Sequence, residues 1–255
     1  MLLMPATHHN TQNNHGIAIS FFSHLYFRMK FLAVAGFVFA TSFSFSQPGI
    51  IDSLENLLVK GKKDTVEAGI LNQLARQLNS SSDERALIYA NRLLELSVKI
   101  NFQKGVANAC FNIGYYYDNK SEYLKAHENF QKAFDLMVKL GMKKEAAKTL
   151  SSIGNVFISQ GSYKQGLDCF LRSLKMSEDI NDKKGIAAAY VGLGNVYIYQ
   201  NSDNKGLEFY FKALNIQEEI GDKRGASASM ANIAIIYTNQ KKYDTAIEYH
   251  FKSLK

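Results

Sequence analysis

Ile113-Gly114-Tyr115-Tyr116-Tyr117 returns as Ile153-Gly154-Asn155-Val156-Phe157, again as Leu193-Gly194-Asn195-Val196-Tyr197, and a last time as Ile233-Ala234-Ile235-Ile236-Tyr237. The interval is 40 residues, without a gap, from Lys104 onward. A fixed period of this length marks a repeat architecture, in which each unit buries its apolar face only against its neighbours. Twelve residues past each Gly or Ala stands a second small residue: Ala126, Gly166, Gly206 and Ala246. Four further on comes a large ring at Phe130, Phe170 and Tyr210, with His250 in the last copy; three beyond that are Ala133, Ser173, Ala213 and Ser253.

Small and large residues three and four apart share one face of a helix and let a second helix approach closely. Each repeat is therefore expected to be two antiparallel helices. Gly161 and Asn201 fall where the first helix must end in a left-handed residue, and Asn101, Gly141, Asn181 and Gly221 hold the equivalent stop between repeats. Ser162 and Ser202 are expected to cap second helices, and Asp182 and Asp222 first helices. No proline follows Pro48, so no helix is interrupted.

The order apolar, Gly, two spacers, Tyr, then Ala-x3-Phe-x2-Ala resembles the tetratricopeptide repeat over residues 64–255. Two features depart from that pattern: the family's Trp is replaced by Cys110, Leu150, Tyr190 and Met230, and its Pro near the repeat end is absent. A 40-residue unit resembles the long-repeat subclass; a HEAT-type array has similar length but lacks the fixed Gly-to-Ala register. The expected fold is all-α, a right-handed superhelical solenoid of antiparallel helix pairs. Its structural positions are Gly114, Tyr117, Ala126, Gly154, Phe157, Gly166, Gly194, Tyr197, Gly206, Ala234, Tyr237 and Ala246. Complete units are expected at 104–143, 144–183 and 184–223, and an incomplete one at 224–255. A degenerate unit is expected at 64–103, one residue short in its turn, preceded by a cap at 47–63 built on the amphipathic Ile51–Val59 stretch. Sibling units run on for about a dozen helical residues past the equivalent of Lys255, so the chain reads as a fragment lacking a polar terminal unit.

The opening differs in composition. Residues 1–28, rich in Asn, His and Thr, read as an untranslated or disordered leader, with Met29 as the true start. Met29-Lys30 followed by the apolar run Phe31–Phe45, with Ser44 and Ser46 at the minus-three and minus-one positions, has the grammar of a signal peptide spanning 29–46 and cleaved before Gln47. A retained membrane anchor is the competing reading. Thr41, Ser42 and Ser44 interrupt a run already shorter than the ~20 apolar residues a spanning helix needs. Export implies a periplasmic or extracytoplasmic location. Four of the six histidines lie in the leader, so His8, His9 and His15 are no basis for a metal site, which needs ligands fixed by a fold.

Formal charge is +7, or +5 once Arg28 and Lys30 are removed, and acids and bases alternate along the helices. That lacks the dense one-sign blocks of nucleic-acid binding, so no nucleic-acid partner is expected. Lys143-Lys144, Lys183-Lys184 and Lys223-Arg224 recur at the junctions; they make either a basic edge for an acidic partner or pairs with Asp179 and Glu219, four residues before Lys183 and Lys223. Cys110 and Cys169 occupy positions apolar in sibling repeats and read as buried small hydrophobes over a disulfide. Metal-ligand spacing, a nucleophile with a His base and a phosphate loop are all missing; Gly192-x-Gly194 lacks the third glycine. Neither catalysis nor a cofactor or metal is expected.

A stack of helix pairs has a concave face lined by first helices, fit for an extended or helical peptide. By resemblance to the family, lining positions fall two before the repeat Gly, one after it and at neighbouring turns: Asn112, Asn232, Asn155 and Asn195, with Tyr115, Lys148 and Tyr199 nearby. Asn both donates to and accepts from a peptide backbone, and Tyr offers flat area with a polar tip. Each is equally readable as a solvated helix position. Only Lys148 supplies a groove cation in this reading, so a ligand needing several is not expected. The function implied is a protein- or peptide-binding scaffold. The leading segment Asp52-Ser53-Leu54, Asp64-Thr65 and Leu71-Asn72-Gln73-Leu74-Ala75 also resembles the extracytoplasmic region of bacterial sensor histidine kinases. That resemblance implies a signal-transduction input module, with a membrane tether and output domain in a missing C-terminal region.

Overall fold

The computed structural model describes residues 48–60 and 64–254. The leader at 1–28 and the signal peptide at 29–46 lie outside the described residues. Among the described residues there are eleven helices and no strand: α1 Pro48–Lys60, α2 Thr65–Asn79, α3 Arg85–Lys99, α4 Gln103–Asn119, α5 Tyr123–Lys139, α6 Lys143–Ser159, α7 Tyr163–Glu178, α8 Lys183–Tyr199, α9 Asp203–Glu219, α10 Lys223–Asn239 and α11 Tyr243–Ser253.

Left-handed residues end the helices at the positions the sequence marks. Asn101, Gly141, Gly161, Asn181, Asn201 and Gly221 all have φ between +52° and +74°, and Ser121 and Lys241 join them at φ 59° and 60°. Each turn closes with an N–H donating five residues back, as from Ser162 to the Phe157 carbonyl (2.8 Å) and from Asp222 to that of Gln217 (2.8 Å), the Schellman closure that satisfies the last carbonyls. The expected side-chain caps are a correction. Ser162, Ser202 and Asp182 make no side-chain cap bond. Asp222 alone of these four reaches one, the Gly225 N–H at 3.1 Å. A non-glycine residue in the left-handed region is strained by about 1 kcal/mol. Ser121→Gly, at an exposed turn, is therefore expected to raise the denaturant midpoint by about that much; an unchanged or lowered midpoint would refute the strain.

Helices pair as α2–α3, α4–α5, α6–α7, α8–α9 and α10–α11, and each pair packs on the next through its second helix. The rings at the large position fill the gap over the repeat glycines: a Cβ on Gly114 would lie 2.7 Å from Phe130, one on Gly154 2.9 Å from Phe170, and one on Gly194 2.9 Å from Tyr210. Ala126, Gly166, Gly206, Ala234 and Ala246 are buried, as close helix approach requires. Tyr117 packs edge-on to Tyr116, Phe157 meets His127, Tyr197 stacks on Phe209 and Tyr237 on Tyr249, with centroids 5.2–5.8 Å apart. Both cysteines are buried free thiols, and loss of hydration pushes that of Cys169 up to about 11. On α1, Ile51 and Leu54 pack against Leu74 and Leu78, covering the outer side of the first pair.

One buried register position is polar and differs between repeats in a coordinated way. Gln217 accepts a hydrogen bond from Ser229 (2.7 Å), and the Thr149 hydroxyl touches the Met137 sulfur (3.2 Å). Where the facing residue is Ala109 or Ala189, the position is Ser97 or Ser177, and their buried hydroxyls have no partner. An unpartnered buried hydroxyl costs about 1–3 kcal/mol. Ser177→Ala is expected to leave stability unchanged or higher by about 1 kcal/mol, read from a urea midpoint; a loss above that would mean the hydroxyl is bonded.

Candidate functional site: the inner face of the stack

Curvature follows from which helices touch. First helices pack directly on one another, α2 with α4, α4 with α6 and α6 with α8, whereas no comparable packing joins the second helices of adjacent repeats. The first helices therefore form the shorter, concave wall. On it opens a cavity of about 540 Å³, lined by Gly69, Asn72, Gln73, Arg76 and Gln77 of α2.

The candidate residues divide by environment. Asn112 is corrected from groove ligand to internal stitch: it is 1% exposed, its Nδ2 donates to Asn72 Oδ1 (2.8 Å), and its carbonyl accepts from Asn79 Nδ2 (3.0 Å). Asn119 Nδ2 closes the seam by donating to the Asn79 carbonyl at 2.8 Å. Both helices offer asparagines here, and the close approach of α2 and α4 pairs them except at Asn79 Oδ1, which is buried without a partner. Asn195 is half-buried and its Oδ1 accepts from the Tyr210 hydroxyl, which ties it to the second helix of its own repeat. Its counterpart Asn155 faces Phe170 in register, which has no hydroxyl, and remains exposed. Asn232 is half-buried on α10. Tyr115 is exposed, 6.4 Å from the Phe111 ring centroid. Tyr199 ends α8 and stacks on Tyr163 at 5.8 Å, at the turn edge away from the cavity.

Lys148 departs from its siblings Asn108, Ala188 and Ala228, all of them short and uncharged. Its amine stands 5.0 Å over the Phe111 ring, on the neighbouring helix. The side chain keeps an open face to solvent, yet the helices on either side strip part of its hydration shell. That desolvation, with repulsion from Arg76 and Lys184, holds the amine below the usual lysine range. Charges 72 residues before it and 36 after it act on one group because the first helices that carry them share one wall with α6. The expectation of a single groove cation is thus corrected: Arg76 and Lys184 join Lys148. Arg76 was visible only through the 39-residue offset of the first copy, which sets it in register with Tyr115, Asn155 and Asn195.

Three of the six junction bases are paired, and differently from expectation. Lys144 bonds Asp182 (3.0 Å) and Lys184 approaches Asp222 (3.7 Å), each at the N-cap of the following first helix, and Lys183 of α8 bonds Glu219 of α9. The i,i+4 pairings of Asp179 with Lys183 and Glu219 with Lys223 do not form, because a left-handed turn lies between the members. These pairs are exposed and contribute little to stability. They compensate Lys144, Lys183 and Lys184 of that edge. Among the described residues no group of three metal-ligating side chains occurs, and no helix is long and apolar enough to cross a membrane.

A stack of helix hairpins with a concave wall of first helices defines a helical-repeat solenoid. Residues 107–136 and 185–255 match the tetratricopeptide repeat. No curated protein matches the chain significantly. Among solved structures, the chain is similar to the apo form of RapI, at 20% identity with TM-score 0.65, over 80% of this chain and 74% of that one. It is similar to aspartyl phosphate phosphatase F from Bacillus subtilis, at 16% identity with TM-score 0.63, over 78% and 62%. A STAND protein with a tetratricopeptide repeat sensor from Pyrococcus horikoshii matches at 21% identity and TM-score 0.65, over 79% of this chain and 33% of its own. A Rap protein complexed with Competence and Sporulation Factor matches at 16% identity with TM-score 0.63, over 72% and 54%. At these identities the likeness concerns fold: a right-handed superhelical solenoid of antiparallel helix pairs.

Proposed function

We propose that this chain is a non-enzymatic scaffold that receives a protein or peptide ligand on its concave face and acts outside the cytoplasm. The observation that carries the reading is the wall of first helices packed directly on one another, which presents exposed Tyr115, Lys148 and Asn155 and holds a cavity of about 540 Å³ at its α2 end. The Rap protein of like fold that is complexed with Competence and Sporulation Factor adds support. In this reading Asn155, Asn195, Asn232, Tyr115 and Lys148 touch the ligand, the units belong to the long, 40-residue class, and Met29–Ser46 directs export. A peptide selected from a display library on the wild-type protein tests it. Asn155→Ala combined with Asn195→Ala should weaken that peptide about tenfold, or about 1.4 kcal/mol, with helicity unchanged by circular dichroism. Equal affinity would remove the concave face from the binding site.

A second reading makes the chain the sensor portion of a membrane-bound signalling protein such as a histidine kinase. The Pyrococcus protein of like fold, whose tetratricopeptide repeats are its sensor, favours it. A reporter enzyme active only outside the cytoplasm, fused after Lys255, distinguishes export from retention, and reading the coding frame past Lys255 for a membrane span and kinase motifs distinguishes sensor from free adaptor.

A further inference from the structure

We infer that the C-terminal ends of the second helices form a two-fold contact with a second copy of this chain. The surface runs along α3, α5, α7 and α9, apart from the concave wall of first helices. It is marked by an order of charge that the packing of the repeat does not require.

At the last turn of each second helix the four units read Val98-Lys99, Val138-Lys139, Glu178-Asp179 and Glu218-Glu219, all of them exposed. The second member of each pair therefore runs plus, plus, minus, minus along the stack. One turn earlier the order is reversed: Glu95, Asp135, Lys175 and the neutral Asn215, again exposed. Rows of this kind are complementary to themselves when turned end for end. That is the requirement of an isologous interface, in which residue i meets j and j meets i. An axis between α5 and α7 sets Lys139 against the partner's Asp179, Asp135 against the partner's Lys175, and Lys99 against the partner's Glu219. The residue that follows is apolar in every unit, as Ile100, Leu140, Ile180 and Ile220, and Leu140 and Ile220 are 40% and 36% exposed. Facing rows of these side chains exclude water beside the ion pairs.

Within one chain these charges are largely unused. Lys99, Lys139, Asp135, Lys175 and Asp179 form no salt bridge among the described residues, and only Glu219 of the two rows is paired, with Lys183. A merely solvated face alternates its signs within each helix, as Asp168 with Arg172 and Glu208 with Lys212 do on α7 and α9. Here the signs are segregated by halves of the stack. The first helices open with a cation in every unit, at Lys104, Lys144, Lys184 and Arg224, so like charges bound the contact and confine it to the second-helix ends. Exposed pairs supply orientation more than affinity, and a narrow contact of this kind is expected to dissociate on the order of 10 μM.

Sedimentation equilibrium of the full chain tests the contact. Monomer and dimer should be present, and raising salt from about 0.02 M to about 0.5 M should weaken association at least about tenfold. Lys139→Glu and Asp179→Lys should each weaken it at least about tenfold, because the axis places each new like-charge pair in the interface twice. Both changes in one chain restore opposite charges across the axis and should return the affinity to within about threefold of wild type, with helicity unchanged throughout. Local roles of Lys139 and Asp179 would not produce that recovery. A chain still monomeric at about 300 μM, association indifferent to either reversal, or a double variant no tighter than the single ones overturns the contact. Growth beyond dimer overturns it too, since that requires a head-to-tail surface. So does a dimer lost in Phe251→Lys and kept in Lys139→Glu, which would assign association to the exposed side of α11.

Discussion

Gly192→Leu is expected to destabilise the solenoid by about 3 kcal/mol, towards the upper end of what overpacking costs. The Phe170 ring is 1% exposed and lies between two glycines: Gly154 of its own repeat, where a Cβ would be 2.9 Å from Cζ, and Gly192 of the next, where a Cβ would be 2.2 Å from both Cδ1 and Cε1. A ring pinned from both sides has nowhere to move. Even Gly192→Ala should lose stability, although alanine in an open helix would gain about 1 kcal/mol over glycine. Gly154→Leu should act in the same direction. Combining Gly192→Ala with Phe170→Leu should recover part of the loss, since shortening the ring vacates the space the methyl needs; a double-mutant cycle in urea reads that coupling. Additive losses, or a Gly192→Ala protein as stable as wild type, would show that the ring moves aside.

Phe130→Ala is expected to cost about 3–5 kcal/mol, the range for removing a fully buried ring. Phe130 has no exposed surface and packs among Leu150, Ile153 and Val156 of the next repeat, beside Phe111 at 5.4 Å. His250 holds the same register position in the last pair but remains half-buried, so His250→Ala should cost less than about 1 kcal/mol. The difference lies in the repeat stacked against each second helix. Leu207 and Leu214 are 8% and 6% exposed under α10, whereas their counterparts Ile247 and Leu254 are 51% and 81% exposed. Equal losses at the two positions would mean that neighbouring repeats contribute nothing to burial, contrary to a nearest-neighbour stack.

The helix pairs were legible because small and large residues recur at fixed register, and that spacing has one packing solution. The left-handed stops were legible for glycine and asparagine and hidden for Ser121 and Lys241, where local chemistry gives no signal and turn closure imposes the conformation. Of the inner face, the sequence located the wall but ranked its residues poorly. Asn112 and Asn195 look like free amides when read one at a time. Asn72 and Tyr210, brought from other helices, engage them.

Periodicity therefore determined the class of fold and the faces of its helices, since both depend on residues three, four and 40 apart in one chain. Tertiary structure alone decided which charges meet. Arg76 and Lys184 act on Lys148, and Lys144 reaches Asp182 rather than a near neighbour, because stacking relates groups that no short-range spacing does.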